Sequence, residues 1–174
     1  MIKITHPILG EIEFAREEFA YWKTRIEFSG RVIEVDINID RTTDDPHMLD
    51  SVTQFVGDPA KFDRLARAAM QHDEVVRDYM DHHLERSTYQ DIDAWLRLTQ
   101  CFGEDNARAA EFDKLTIDLD RFLSKLYLRR IGLYPQQSEE CAVFDYTIGD
   151  DMTNYVIVAK FDRLCELTEI AMES

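Results

Sequence analysis

The sequence predicts an α+β domain. Strand-like segments occupy the first forty and the last fifty residues, amphipathic helical segments fill the middle, and no βαβ alternation links them. The end segments are expected to join in one antiparallel sheet, formed by N-terminal and C-terminal strands with the helices packed on one face. The chain has 174 residues, which fits one domain over 1–174. A chain of this size buries roughly 70% of its unfolded surface, so it needs no disulfide or metal to hold together. Apolar residues at 45% and charged residues at 32% are a globular composition.

Each element has its own signal. Glu11–Phe14 follows Gly10, a turn residue. Tyr21–Phe28 runs into Ser29-Gly30, a hairpin signal, and then into residues 31–40. There Val35, Ile37 and Ile39 alternate with Asp36, Asn38 and Asp40, which predicts one buried and one wet face. Asp45-Pro46 opens a predicted helix with Leu49, Val52 and Phe55 or Val56 inward, stopped by Gly57. Asp58-Pro59 opens the next, with Phe62, Leu65, Ala66 and Ala69 inward. A third helix is expected from about Asp73 to Glu85. A fourth is expected from Ser87, whose spacing to Gln90 resembles a capping box, with Ile92, Trp95, Leu96 and Phe102 apolar. Residues 103–113 read as loop or short helix, and Asp118–Leu126 as a last helix. Strands follow in the segments ending at Pro135, Gly149 and Asp162. The final residues 163–174 fit a helix or a strand and are read as a hairpin strand, with Leu164, Ile170 and Met172 on the same face as Glu166 and Thr168.

The charge balance restricts function. Lys and Arg number 20 against 35 Asp and Glu, a net charge of −15. The excess is even: residues 1–87 hold 11 basic and 18 acidic groups, and residues 88–174 hold 9 and 17. Such a surface disfavours nucleic acid and anionic lipid and favours a basic protein as partner. The N-terminal segment is too polar for a signal peptide. The plainly apolar run Val156–Ala159 falls far short of the ~18 residues of a membrane span. Cys101, Cys141 and Cys165 are odd in number and widely spaced, which predicts core thiols in a reducing cytoplasm.

No catalytic or cofactor motif emerges, and no cofactor is expected. His82-His83 sits in the third helix, where adjacent side chains diverge by ~100° and cannot easily share a metal. On the helical wheel His83 falls among Val76, Tyr79, Met80 and Leu84, so it is expected to be buried and hydrogen-bonded. His82 is expected to form an exposed pair with Asp78, four residues back. Asp36, Asn38 and Asp40 match the first ligand positions of a calcium loop, but Arg41 replaces the required glycine and His47 the closing glutamate. Nucleophile-elbow, S-x-x-K, P-loop and dinucleotide patterns are absent.

The opening "HPILGEIEF" and "YWKTRIEFSGRVIEVDINID", with the closing "LYLRRIGLYP", "FDYTIG" and "VIVAKFD", resemble an uncharacterised family of bacterial domains of unknown function. The resemblance implies structural motifs without catalytic residues, a closing hairpin, and an immunity role, since members are sometimes found beside toxin genes. The family hairpin often turns on glycine; this chain has Arg163-Leu164 there. The expected function is therefore a non-enzymatic, cytoplasmic, acidic binding protein. Its expected contact residues are the acidic turns Asp44–Asp45, Glu104–Asp105, Glu139–Glu140 and Asp150–Asp151. The runner-up is a small metal-assisted enzyme that uses His82 or His83 with nearby carboxylates such as Asp78.

Overall fold

The computed structural model describes residues 2–14, 19–40, 45, 47–85 and 119–174. Its order is β1 (Ile2–His6), β2 (Gly10–Phe14), β3 (Ala20–Phe28), β4 (Arg31–Ile39), a 3-10 turn (Asp50–Val52), α1 (Thr53–Gly57), α2 (Pro59–Met70), α3 (Glu74–Leu84), α4 (Leu119–Leu123), β5 (Tyr127–Leu133), β6 (Ala142–Thr147), β7 (Val156–Phe161) and β8 (Leu167–Glu173). The α+β class is as the sequence predicts. The predicted helix from Ser87, the segment 103–113 and Cys101 lie outside the described residues, as do Asp44, Pro46, Glu104 and Asp105.

β3 to β8 form one six-stranded sheet in sequence order, and β1 and β2 form a separate hairpin. Every pairing is antiparallel except β4–β5, which is parallel, with Asp36 opposite Gly132. The helices lie between β4 and β5 in the chain, and a long crossover of this kind can return the chain in the same direction. The β3–β4 turn has Ser29 at φ 49° and Gly30 at φ 74°, the left-handed pair that a two-residue hairpin requires. In the β7–β8 turn the left-handed residue is Cys165, at φ 65°, where glycine would be relaxed. Asp162 braces that turn by accepting the Glu166 amide at 2.8 Å. The hairpin strand expected at the C-terminus is β8, although Leu164 lies in the turn, 78% exposed, rather than on the strand face.

The helices cover one face of the sheet. Phe55 of α1 and Phe62 of α2 meet Phe144 of β6 and Phe161 of β7, with ring centroids 4.5 to 6.4 Å apart. These rings are fully buried, and burying each contributes roughly 2–3 kcal/mol. Asp58 caps α2 as predicted, accepting the Lys61 amide at 3.1 Å, and Pro59 takes the first turn. The inward residues of α2 are Phe62, Ala66 and Met70, four apart, so Leu65 is turned outward and exposed. Asp73 likewise caps α3 by accepting the Val75 amide at 2.9 Å. Asp45 does not start a helix. Its carboxylate accepts the His47 amide at 2.9 Å and closes a turn, and regular α structure begins only at Thr53.

Candidate functional site

The face of the sheet left open by the described helices carries a buried ionic cluster. Asp36 of β4 is fully buried on the face that alternation marks as wet. Arg130 of β5 explains it. Its Nε donates to Asp36 Oδ2, its Nη2 donates to Asp36 Oδ1 at 2.9 Å, and its Nη1 donates to Asp145 Oδ2 of β6 at 3.0 Å. The same Nη2 donates to the Tyr134 hydroxyl at 3.2 Å, and Asn38 Nδ2 donates to Asp36 Oδ1. A fork of this geometry is where arginine outperforms lysine. Burial opposes the charge on Arg130, but the bond to Asp36 and the field of Asp145 win, so its pKa is raised. Burial pushes the Asp145 carboxyl up, against the pull of Arg130. Asp145 Oδ1 is buried and has no hydrogen-bond partner.

Two features of β5 aim the guanidinium. The pairing with β6 slips between Leu128 and Arg130, a bulge that re-aims side chains on the bulged strand. Gly132, two residues on and on the same face, then leaves room: a Cβ there would lie 2.7 Å from Arg130 Nη2 and 3.0 Å from its Cζ. The arginine folds over a glycine because no larger residue fits beneath it.

Two open clefts adjoin the cluster, one through Arg130 and the other through Tyr134. One, of about 370 Å³, is lined by Arg25, Val32, Glu34, Arg129, Arg130 and Asp150. The other, of about 460 Å³, is lined by Asp40, Tyr134, Gln137, Ser138, Glu139 and Glu140. The expected acidic contacts separate accordingly. Glu139 and Glu140 are exposed in the β5–β6 connection, and Glu140 pairs with Lys160 at 3.1 Å. Asp150 and Asp151 are exposed in the β6–β7 connection at the other end of β6, and Asp150 pairs with Arg129 at 3.2 Å. β6 has six residues, so the two turns stand roughly 20 Å apart at its opposite ends. Asp45 is exposed beside the 3-10 turn, whose Ser51 hydroxyl donates to the Pro135 carbonyl at 3.3 Å, toward the Glu139–Glu140 end.

His83 is buried, as its place on the wheel predicts. Its Nδ1 is 2.7 Å from the Tyr79 carbonyl, so it carries a proton, and its Nε2 is 2.6 Å from Thr153 Oγ1. Both nitrogens are occupied, and burial lowers the pKa. The ring thus ties α3 to the β6–β7 connection, assisted by the Tyr79 hydroxyl, which donates to the Tyr155 carbonyl at 3.1 Å. His82 is half-buried and turns its ring onto Tyr155, with centroids 5.1 Å apart. Among the described residues no three His, Cys, Asp or Glu side chains converge to hold a metal. The first ligand positions of the calcium pattern lie in or just after β4. Asp36 lies within β4 under Arg130, and Asp40 accepts from Gln137 Nε2 at 2.6 Å. Cys141 is a core thiol whose pKa burial raises. Cys165 is only half-buried.

No protein-family model, curated protein or solved structure matches the chain. Arg130 and Asp145 are absent from the sequence-based candidates, and Asp36 enters them only as a rejected calcium ligand. A signal was present in Arg130-Ile131-Gly132: an isolated glycine inside a strand marks close approach, and here the approaching group is the arginine two residues before it.

Proposed function

We propose that the protein is a non-enzymatic binding domain whose partner is a basic protein, and in its sharper form a cytoplasmic bacterial immunity protein that neutralises a basic toxin. The observation that carries this reading is where the fold spends its charges. Asp36, Arg130, His83 and His6 are bonded to one another or to the protein's own backbone and side-chain groups. The carboxylates of Glu139, Glu140, Asp150 and Asp151 stay exposed on a chain of net charge −15. A surface of that kind steers a cationic partner and raises the association rate, an effect that salt weakens.

Capture from the native host at low and high salt, with the partner identified, tests this. The expected result is a basic protein retained at low salt, whose association slows by about tenfold or more as salt rises. Replacing Glu139 and Glu140 by lysine is expected to slow it at low salt. Retention of no partner under either condition, or of an acidic one, rejects the reading.

A further inference from the structure

We propose that the β1–β2 hairpin is an acid-released clip, held to the start of α1 by the neutral form of His6 and freed when that imidazole takes a second proton. The hydrogen bonds around His6 fix its tautomer. Nδ1 accepts the amides of Ile8 at 3.2 Å and Leu9 at 3.1 Å, so it carries no proton. Nε2 lies 3.0 Å from Thr53 Oγ1, and that hydroxyl donates to the Leu49 carbonyl at 3.0 Å. The threonine's single proton is therefore used, and Nε2–H donates to it. A second proton can enter only at Nδ1, where two amide protons already point. It would place N–H against N–H, break both bonds of the turn and leave a cation in a site that is 4% exposed.

The hairpin is built to leave as a unit. β1 pairs with β2 from Ile2–Phe14 to His6–Gly10, and neither strand belongs to the six-stranded sheet. Departure breaks no ladder of that sheet. What it undoes is the His6–Thr53 bond, the seat of Ile8 against Gly57, the burial of Ile2, Ile12 and Phe14, and the packing of Ile4 and Leu9 against the core.

The charges facing His6 set the direction. α1 contributes none, since Thr53–Gly57 has no titratable side chain. The 3-10 turn contributes Asp50, which favours the imidazolium and whose carboxylate is held 2.9 Å from His47 Nδ1. On the hairpin itself Glu13 is paired with Lys3, and Glu11 lies opposite Thr5, the residue before His6. Burial outweighs Asp50 and lowers the His6 pKa below its ordinary 6.5. The released hairpin then binds more protons than the docked one between pH 6.5 and that lowered value. Docking is at full strength above 6.5 and weakens as pH falls through the window.

Amide hydrogen exchange on the full chain between pH 7.5 and 5, corrected for the pH dependence of intrinsic exchange, is the test. Protection of Ile8 and Leu9 is expected to fall by up to about tenfold per pH unit, the slope of one proton, while β6 stays protected. In His6→Asn the side-chain oxygen accepts the same amides without titrating, so the fall should vanish. Ring nitrogen shifts of His6 in the unaltered chain provide a reading that needs no variant, and their titration should coincide with the loss of protection. Three results overturn the proposal: protection of Ile8 and Leu9 independent of pH or lost in step with β6, a fall that survives in His6→Asn, or a His6 titration that does not track the loss.

Discussion

The two faces of the six-stranded sheet are stabilised in different ways. On the covered face Ile33, Val35, Ile37, Ile131, Phe144, Ala159 and Phe161 are almost wholly buried beneath the helices, and shape decides which residues fit. On the opposite face Asp36 is buried just as fully, and among the described residues it is Arg130 and Asn38, not a layer of helices, that bond to it. Position on the open side of a sheet therefore does not make a residue wet. A long cationic side chain can lie along the sheet and seal a carboxylate beneath it.

The largest effects separate the two kinds of burial. Phe62→Ala is expected to cost about 3–5 kcal/mol through lost transfer energy and a cavity. Arg130→Ala is expected to cost a similar amount, about 3–5 kcal/mol, because it strands two buried carboxylates. Urea unfolding at pH 7 and pH 5 tells them apart. Without Arg130, the folded-state pKa of Asp145 rises further above the unfolded one, because burial already pushes it up and the pull of the guanidinium is gone. The folded variant then binds more protons, so its deficit is largest at neutral pH and shrinks as pH falls. The Phe62→Ala deficit has no such proton term. Replacing Asp36, Arg130 and Asp145 together by Leu, Met and Leu should recover most of the loss, since a complete apolar set removes the desolvation penalty along with the charges. An Arg130→Ala deficit that ignores pH would mean that the cluster acts only by packing.

Gly132→Ala is the next test. In an ordinary strand the change gains about 0.5–1 kcal/mol. Here the new methyl would lie 2.7 Å from Arg130 Nη2, and the guanidinium must shift off Asp36. A loss of about 1–3 kcal/mol is expected from overpacking. The loss should disappear in the Arg130→Met background, where the flexible apolar chain can move aside. A gain in the unaltered background would show that the glycine is not there for the arginine.

How much could be read from the sequence follows the same division. Local chemistry is legible because its partners are close in the chain. Ser29-Gly30 sets its own turn, Asp58-Pro59 its own helix start, and Val76, Tyr79 and His83 their own stripe. The start of α1 was misplaced because Asp45 bonds the amide two residues on and closes a turn, using the same side-chain chemistry that caps a helix. Leu65 was placed inward because a stripe of spacing three and four admits several phases, and the Phe62–Ala66–Met70 row won. The Asp36–Arg130 pair spans 94 positions and depends on β4 lying parallel to β5. Alternation gives a residue's face but not its neighbour across the sheet, so a carboxylate on that face reads as solvated. The acidic turns Glu139–Glu140 and Asp150–Asp151 are exposed, and the predicted strand between them already sets them at opposite ends of β6.

The smallest expected effect concerns one atom on each face. Asp145 Oδ1 and Tyr146 Oη are neighbours on β6, point to opposite faces, and are both buried without a hydrogen-bond partner. Burial and the nearby carboxylate of Asp63 push the Tyr146 pKa well above its ordinary value, so its proton is held, and Asp63 is the acceptor within reach although no bond of good geometry forms. Tyr146→Phe keeps the ring under Arg67, whose Cζ lies 5.5 Å from the ring centroid, and removes only the hydroxyl. Stability is expected to change by less than about 0.5 kcal/mol, because deleting an unpartnered polar group relieves a desolvation penalty instead of breaking a bond. A loss above about 1 kcal/mol in urea unfolding would show a working hydrogen bond to Asp63. The covered face would then depend on a polar contact much as the open face depends on Arg130, and the contrast between the two faces would narrow to one of degree.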